Sequence, residues 1–378
     1  MSQLFTPLTL RDLTLKNRLV VAPMCQYSAR HGFANDWHFA HLGRFAIGGF
    51  GLVTVEATAV SPEGRISYAD TGLWSDDQIE PFRRIVDFLH SQGAAAGMQL
   101  AHAGRKASSP VPFRPDPTDA EKVAAAFEDW QPIAPSPIIH SERLPGYKLP
   151  REMTPDDIRR FKQSFIESIY RSEKAGFDVV EIHAAHGYLI NQFLSPLANR
   201  REDDYGGSRE NRMRLLLELT QEARSAWPAG KPLFVRISGS DNHPDGWTAD
   251  DSVVLARELK ELGVDAVHVS SGGFDGAAFN PKALYQLPLS TKVRNEAGIP
   301  TVAVGLITTP QEAEAIIEND DADLVALARA ALDDPNWPHH ARHMLENDDN
   351  AYADWPLQAG YAIRNKDRAL RERAFAGT

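Results

Sequence analysis

Cysteine is almost absent from this sequence of 378 residues, which contains a single one, Cys25. Disulfide frameworks, multi-cysteine zinc sites and iron–sulfur clusters all need several cysteines, so a single chain cannot build them. Positive charge is also scarce, because 40 Lys and Arg face 51 Asp and Glu and the formal net charge is −11. Phosphate backbones attract proteins with a cationic surplus, so we expect no general nucleic-acid binding.

Long apolar runs are missing as well. No stretch approaches the ~20 residues that span a bilayer, and the N-terminal segment lacks the basic and apolar regions of a secretory signal. We therefore expect a cytoplasmic protein without a membrane span. Hydrophobic residues make up 43% and charged residues 24% of the chain, which is typical of a globular protein.

A short β-rich run followed by an amphipathic helical stretch recurs along the chain. The predicted strands are Leu19–Ala22, Leu52–Ala57, Ala95–Leu100, Val179–His183, Leu233–Ser238, Ala266–Ser270, Thr301–Val304 and Leu324–Leu327. The predicted helices are Asp36–Ile47, Asp77–Gln92, Thr154–Ala175, Arg209–Trp227, Ala249–Leu262, Leu289–Ala297 and Pro310–Glu318. This alternation predicts an α/β fold, a (β/α)8 TIM barrel, with an open doubly wound sheet as the alternative.

Three segments depart from the alternation within what we interpret as one domain, residues 1–378. Thr6–Leu15 is typical of a short N-terminal hairpin that caps the barrel floor. Residues 105–153 form a long, proline-rich insertion after the third strand, and such insertions are often lids or binding loops. Residues 338–378 form a polar C-terminal tail that we expect to be irregular, with aromatic residues at Tyr352, Trp355 and Tyr361.

Polar, cationic and glycine residues follow the predicted strands, at the barrel end where active sites lie. They include Gln99 and Lys106 after the third strand and Arg236 on the fifth. Backbone N–H groups reach an anion closely only where side chains are absent. The glycines after strands six and seven, together with a cation after strand eight, therefore suit a phosphate, although glycines also serve tight turns. These residues are Gly272, Gly273, Gly305 and Arg329.

His183 and His186 follow the fourth strand together with Tyr188. Two neutral imidazoles in a pocket can both donate a hydrogen bond to one oxygen. Metal ligation and a role in the core are the alternatives, but the position before Gly187 argues against the helical geometry that a metal pair would need. Tyr188 is a candidate proton donor or a packing aromatic. Cys25 is either a small buried hydrophobe or a contact to a redox cofactor.

Taken together, these motifs resemble the Old Yellow Enzyme family, and within it the bacterial branch of xenobiotic reductases and thermophilic-like ene-reductases. The segments that carry the resemblance are Leu15–Arg18, Ala22–Tyr27, Glu56–Val60, Glu63–Arg65, Gln99–Lys106, His183–Leu189, Asn191–Pro196 and Arg201–Arg212. They extend from the first predicted strand into the second half of the barrel. The His/His pair places the chain in the bacterial branch, since other members pair His with Asn.

The resemblance implies that FMN lies across the barrel mouth and that NADPH, or NADH, reduces it. The implied cofactor contacts are Ala22, Pro23, Met24, Cys25, Ala57, Gln99, Arg236, Gly272, Gly273, Gly305, Ala328 and Arg329. A cation near the ring would stabilise the negative charge that a reduced flavin carries. Family members often have glycine where this chain has Ala328, but Arg329 is retained, so we expect binding to be kept.

The resemblance also implies reduction of activated carbon–carbon double bonds, as in enones. His183 and His186 would bind the substrate's carbonyl oxygen, and Tyr188 would protonate the α-carbon. The implied catalytic set is Tyr188, His183, His186, Cys25 and Tyr27, and Lys106 and Trp355 join Tyr27, His183, His186 and Tyr188 in the substrate pocket. No metal is implied.

Several alternatives stay open at this point. The tail residues Trp355, Tyr361 and Arg364 are candidates for an active site, either in their own chain or in the neighbour of a homodimer or dimer-built oligomer. The alternative functions are a flavin-binding stress or redox protein without efficient turnover, and a metal-dependent barrel hydrolase that uses His183 and His186.

Overall fold

Eight parallel strands close into a barrel in the computed structural model, which describes residues 2–113, 130–144, 146–277, 281–346, 352 and 354–376. The barrel strands are β3 (Leu19–Val21), β4 (Leu52–Ala59), β5 (Ala95–Ala101), β8 (Val179–Ala184), β9 (Leu233–Ser238), β10 (Ala266–Ser270), β11 (Thr301–Ala303) and β12 (Leu324–Leu327). Around the barrel their order is β10-β11-β12-β3-β4-β5-β8-β9. The predicted TIM barrel is confirmed, and the alternative of an open sheet is wrong.

Helices occupy the crossovers between the barrel strands and continue into the tail. They are α1 (Asp36–Ile47), α2 (Ile79–Ser91), α3 (Pro155–Lys174), α4 (Leu189–Leu194), α5 (Arg209–Ala226), α6 (Ala249–Glu261), α7 (Leu287–Ala297), α8 (Pro310–Glu318), α9 (Arg329–Asp333), α10 (Trp337–Glu346) and α11 (Leu357–Ala376). Thr154, Thr248 and Thr309 each cap a helix by accepting a backbone N–H with the side chain, which satisfies a donor that the helix leaves free. None of the described helices combines the length and apolar character needed to cross a membrane.

The lower end of the barrel is closed by the predicted hairpin, β1 (Leu8–Leu10) paired antiparallel with β2 (Leu13–Leu15). Leu10 and Leu15 pack against residues at the beginnings of the barrel strands, such as Val179 and Leu324. These side chains are all buried and aliphatic. The hairpin thus removes the apolar strand ends from water, which is favourable by roughly 25 cal/mol per Å² of apolar surface.

The insertion contributes a small second sheet beside the barrel. In it β6 (Ile133–Ala134) pairs in parallel with β7 (Arg151–Glu152), and the Arg201 guanidinium ties the sheet to the barrel by donating to the carbonyls of Pro135 and Met153. Much of the predicted insertion, residues 114–129 and 145, lies outside the described residues. The role of the insertion as a lid therefore stays a prediction.

The expectation of an irregular tail is wrong, because α10 and α11 are helices. Ion pairs at i,i+4 spacing, Arg342 with Glu346 and Arg368 with Glu372, lie along them. Helix α10 also packs Trp337, Ala341 and Leu345, spaced four residues apart, against the core. We interpreted a polar composition as irregular structure, although charge pairs at helical spacing are an equally good explanation for it.

Trp355 is misplaced by the sequence prediction. Its ring stacks on His339 with ring centroids 4.6 Å apart, and the His339 imidazole contacts the carbonyl of Ile47, just before β4 begins. This is the N-terminal end of the barrel strands, opposite the end where His183 lies. A place for Trp355 in the substrate pocket of its own chain is therefore contradicted.

Candidate active site

The upper ends of neighbouring strands bring the chemically active side chains to one level. In the strand register His183 of β8 lies opposite Arg236 of β9, which lies opposite His268 of β10. Gln99 of β5 is opposite Glu181 of β8. Since residues paired in register on adjacent parallel strands point the same way, these polar groups are grouped inside the barrel mouth.

His183 is held as a hydrogen-bond donor. The backbone N–H of Ala185 donates to its Nδ1 at 3.3 Å, so the proton of the neutral ring is on Nε2. Burial, and next the charge of Arg236, lowers the pKa of His183 to about 3. The ring is therefore neutral at physiological pH and donates through Nε2.

His186 lies beside it on a strained turn. Its φ of 60° is in the left-handed region that few non-glycine residues adopt. The turn is held by the Ser238 hydroxyl, which accepts the His186 N–H at 2.9 Å, and by the Lys106 ammonium, which donates to its carbonyl at 3.0 Å. The rings of His183 and His186 meet edge to face at 5.2 Å. Burial holds the pKa of His186 well below its ordinary value, so this ring is also neutral.

The His186 imidazole reaches one further strand. Its Nε2 lies 2.7 Å from the Oγ of Ser270, at the end of β10. The direction in which the Ser270 hydroxyl donates decides whether His186 carries its proton on Nδ1 or Nε2.

Gly273 supports this turn through a close approach of two backbone segments. Its φ is +117°, and a Cβ there would lie 2.1 Å from the carbonyl carbon of His186. Gly272 has a φ of +72°, and neither glycine is among the residues that line the cavity next to Arg329. The tight-turn alternative thus explains both, and their predicted contact to FMN stays untested.

Tyr188 completes a three-ring group with the two histidines. Its ring is 5.0 Å from that of His183, edge to face, and the Lys106 ammonium lies 5.0 Å from its centroid. Burial raises the pKa of the Tyr188 hydroxyl, which keeps its proton available. Burial, and next Arg105, lowers the pKa of Lys106 to about 8. The Lys106 ammonium therefore contacts the backbone of the histidine turn and the ring of Tyr188, and its contact with flavin or substrate stays a prediction.

Cys25 and Tyr27 lie on the loop after β3. The loop is anchored by the buried Glu56 carboxylate, which accepts the Gln26 N–H at 2.8 Å. Burial, with Asp70 and Glu56 nearby, raises the pKa of the Cys25 thiol, so it is protonated. The sequence reasoning missed Asp70, whose burial raises its pKa to about 7. The signal for Asp70 in the sequence was the segment GRISYAD, residues 64–70, which is far from Cys25 along the chain.

A cavity of about 160 Å³ opens beside this group at the ends of β10, β11 and β12. The predicted residues Arg236, Gly305, Ala328 and Arg329 all line it. The backbone at Gly305 has a φ of +117°, and a Cβ there would lie 2.6 Å from the amide oxygen of Gln286. Only glycine fits at this position of the cavity wall without a clash.

The donor set fits the anionic flavin that the resemblance implies. Among the described residues the buried Nε of Arg236 has no hydrogen-bond partner, and a buried guanidinium N–H without a partner is costly. Arg329 supplies a second cation at the glycine wall. Arg236 therefore suits the electron-rich edge of the flavin ring, and Arg329 suits the phosphate.

A buried network that the sequence reasoning missed lies on the inner side of the barrel mouth. The Gln99 amide donates to one oxygen of Glu181 at 2.6 Å, and Nδ1 of His268 lies 2.9 Å from the other. We refer to Gln99, Glu181 and His268 as the Glu181 network. The available signal was an ionisable residue in the middle of each of two strands, Glu181 two residues before His183 and His268 in β10.

The other residues predicted from the sequence lie in two places, at the rim of the barrel and on helix α11. The Ala22 N–H donates to the carbonyl of Leu327 on the neighbouring strand β12, and Pro23, Met24 and Ala57 lie at the same rim. The tail residues Tyr361 and Arg364 lie on α11, where Tyr361 is 66% exposed. The described residues show no hydrogen bond, ion pair or ring contact between α11 and either His183 or His186.

A metal-dependent site is not supported by the geometry. Nδ1 of His183 accepts a backbone N–H and Nε2 carries the proton, so neither nitrogen offers a free lone pair. Within the described ranges no group of three or more His, Cys, Asp or Glu side chains could hold a metal ion.

Comparison with known proteins gives consistent matches. The sequence profile described as "NADH:flavin oxidoreductase / NADH oxidase family" matches residues 3–348. The chain is 49% identical over 344 residues to an NADPH dehydrogenase of Geobacillus thermodenitrificans (strain NG80-2), covering 90% of this chain and 94% of that protein. It is 46% identical over 346 residues to an NADPH dehydrogenase of Geobacillus sp. (strain WCH70), covering 91% and 95%. The solved structure of morphinone reductase matches with a TM-score of 0.76 at 27% identity, covering 90% of this chain and 89% of that one.

Proposed function

Because the chain belongs to the NADH:flavin oxidoreductase / NADH oxidase family, we propose that it is an FMN-dependent enzyme that uses NADPH to reduce the C=C bond of α,β-unsaturated carbonyls. Family membership makes it an oxidoreductase and confirms the resemblance to Old Yellow Enzymes. The observation that carries the substrate class is the three-ring group, in which two neutral imidazoles and one protonated phenol converge.

Residues at the barrel mouth would hold the cofactor. Arg329 and the open wall at Gly305 suit its phosphate end, and Arg236, Gln99 and Cys25 suit its ring. Bound FMN supplies hydride transfer from the nicotinamide and on to the substrate. A protonated Cys25 thiol beside the ring can donate a hydrogen bond without adding charge.

The histidine pair would bind the carbonyl oxygen of the substrate. His183 donates through Nε2, and because the ring is neutral it polarises the carbonyl without protonating it. Donors that are already oriented stabilise a developing oxyanion at little reorganisation cost. Withdrawing electron density toward this oxygen makes the β-carbon electrophilic.

Tyr188 would deliver the proton to the α-carbon. Its raised pKa means that the phenol is a weak acid in the ground state, so transfer depends on the negative charge that builds on the α-carbon. The Lys106 ammonium near the ring face stabilises the phenolate that the transfer leaves. Solvent must then reprotonate Tyr188 before the next turnover.

We also propose a homodimer whose contact includes α11. Leu357 is 86% exposed and Tyr361 66%, and they are one helical turn apart on the same face. A second copy covering this face would bury both side chains. Sedimentation should give twice the mass of the chain, and the variant L357E/Y361E should shift the protein toward monomer.

The test of the function measures reduction of the flavin by NADPH and its reoxidation by an enone separately, under anaerobic conditions. The purified protein should be yellow, NADPH should bleach it, and 2-cyclohexenone should restore the colour. Cyclohexanone, which lacks the double bond, is the matched control and should leave the protein bleached. A protein that bleaches but is not reoxidised by the enone would instead be a flavin-binding redox protein without ene-reductase turnover.

A further inference from the structure

Glu181 places a negative charge inside the barrel just below the level of His183. Its side chain is buried, with 3% of its surface exposed, as are Gln99 and His268 at 1% each. A lone buried carboxylate is costly, and such groups persist when they are hydrogen-bonded. Nothing in the proposed proton or hydride path uses Glu181, so its presence needs a separate explanation.

The hydrogen bonds around Glu181 favour its ionised form. Gln99 donates an amide N–H to one oxygen at 2.6 Å, and Nδ1 of His268 donates to the other at 2.9 Å. Burial alone would raise the pKa of Glu181, but His268, Arg236 and Gln99 together hold it below its ordinary value. Burial and Arg236 lower the pKa of His268, and Glu181 raises it. With a donor on each of its two oxygens, Glu181 is held as a carboxylate.

Arg236 carries an opposite charge at the level of His183 in the barrel. It lies opposite His268 in the strand register, is 7% exposed and has an unpartnered Nε among the described residues. Its guanidinium and the Glu181 carboxylate act on each other through the low-dielectric barrel interior, where Coulomb interactions are strong. Glu181 thus offsets part of the positive charge that Arg236 brings to the barrel mouth.

We propose that Glu181 is a positioning residue that orients the Gln99 amide and lowers the reduction potential of the bound flavin by offsetting the charge of Arg236. This inference rests on the proposed FMN site. Reduction adds negative charge to the ring, which Arg236 stabilises and Glu181 opposes. Because the Gln99 N–H is committed to Glu181, its carbonyl oxygen is left free to accept from a donor on the ring.

The decisive variant is Glu181→Gln, which preserves size but removes the charge. Its amide oxygen can accept from Gln99, and its NH2 group can donate to Nδ1 of His268 in the other tautomer of that ring. We expect its flavin midpoint potential to rise by at least about 30 mV, a tenfold change in the equilibrium of a two-electron couple. Glu314→Gln is the matched control, because Glu314 is also buried but accepts N–H groups of Gln3 and Leu4 at the opposite end of the barrel. Its potential should equal that of the wild type.

Glu181→Asp separates the two roles of the side chain. The shorter side chain keeps the charge but moves the carboxylate away from Gln99 by the length of one methylene. FMN should therefore bind severalfold more weakly, while the flavin midpoint potential should change less than in Glu181→Gln. Equal potentials in the wild type and Glu181→Gln, with FMN bound to both, would overturn the proposal.

A measurement on the unaltered holoenzyme covers the case in which Glu181→Gln does not fold. With ¹³C-labelled glutamate, the infrared difference between oxidised and reduced protein should contain no band from a protonated glutamate carboxyl at neutral pH. Such a band would show that Glu181 lacks the proposed charge and would overturn the inference. Failure of the wild type to bind FMN would instead refute the proposed function, so the two failures are distinguishable.

Discussion

The two ends of the same barrel are built from equally buried side chains of opposite character. At the lower end Leu10 and Leu15 of the hairpin cover aliphatic strand beginnings such as Val179. At the upper end, four residues further along the same strand, His183 is just as inaccessible to solvent. The lower end needs only apolar groups that fit together, whereas each polar group of the upper end needs a partner or a ligand.

The backbone is strained at both ends of the barrel. Tyr27 and His186, both at the upper end, have φ values of 50° and 60°, and Arg11, between the two strands of the lower hairpin, has a φ of 53°. Strain of this kind costs on the order of 1–3 kcal/mol per residue and persists where the surroundings enforce it. The two ends therefore differ in side-chain character rather than in backbone strain, with function at the polar end and apolar burial at the other.

Removing the Tyr188 hydroxyl should give the largest effect on the chemistry of the upper end. In Tyr188→Phe we expect alkene reduction to slow by ~10²–10⁴, the usual contribution of a positioned acid, while flavin reduction by NADPH stays unchanged. Stopped-flow absorbance measures the two steps separately. Tyr170→Phe, on the exposed surface of α3, is the control. Equal slowing of both steps would remove Tyr188 from the role of proton donor.

Removing the His183 donor should have the next largest effect. His183→Ala loses one preoriented hydrogen bond to the oxyanion, so enone reduction should fall by ~10²–10³, and phenols, which mimic the enolate, should bind correspondingly more weakly. Optical titration with a phenol measures this directly. His340→Ala, at the opposite end of the barrel, should leave both quantities unchanged. Unaltered phenol affinity in His183→Ala would contradict the assignment.

A cavity at the lower end should affect stability but not catalysis. Leu15→Ala removes a side chain that is 1% exposed and should reduce the free energy of unfolding by ~2–5 kcal/mol. Rates per bound flavin should stay at the wild-type level. Urea unfolding followed by circular dichroism, together with single-turnover kinetics, measures both. A large loss of rate would show that the two ends are not independent.

Acid should destabilise the upper end through His183. The pKa of His183 is about 3 in the folded protein and ~6.5 when unfolded. Between these values the unfolded chain binds a proton that the folded chain does not, so stability is lost as pH falls below about 6.5. One such histidine contributes at most about 1.4 kcal/mol per pH unit. His183→Gln should therefore show a shallower loss of stability between pH 6.5 and 5 than the wild type, and an equal slope would contradict the buried neutral state.

Most of the fold could be predicted because the strands are short apolar runs with clear boundaries. Leu233–Ser238 and Ala266–Ser270, for instance, have the predicted bounds. The two tail helices were not predicted from the sequence. The apolar stripe of α10, formed by Trp337, Ala341 and Leu345, is short and lies among polar residues. Periodicity detects burial, and α11 is largely exposed.

The candidate site was predictable only where residue type indicates chemistry. His183, His186 and Tyr188 meet as expected because they follow one strand. The close approach of Gly273 to the backbone of His186 could not be predicted, because the two residues are distant in sequence. Glu181 was missed because its partners come from other strands. Asp70 is hydrogen-bonded within its own loop by Ser67, and only the fold brings it near Cys25.

The most direct test of the account follows the two hydrogens that are added to the double bond. The protein should reduce 2-methylcyclohexenone with NADPH carrying deuterium at its transferable C4 position, and nuclear magnetic resonance should find that deuterium on the β-carbon. With ordinary NADPH in D₂O, the solvent deuterium should appear on the α-carbon, through Tyr188. Solvent deuterium on the β-carbon, or no reduced product from a yellow protein that NADPH bleaches, would contradict the account.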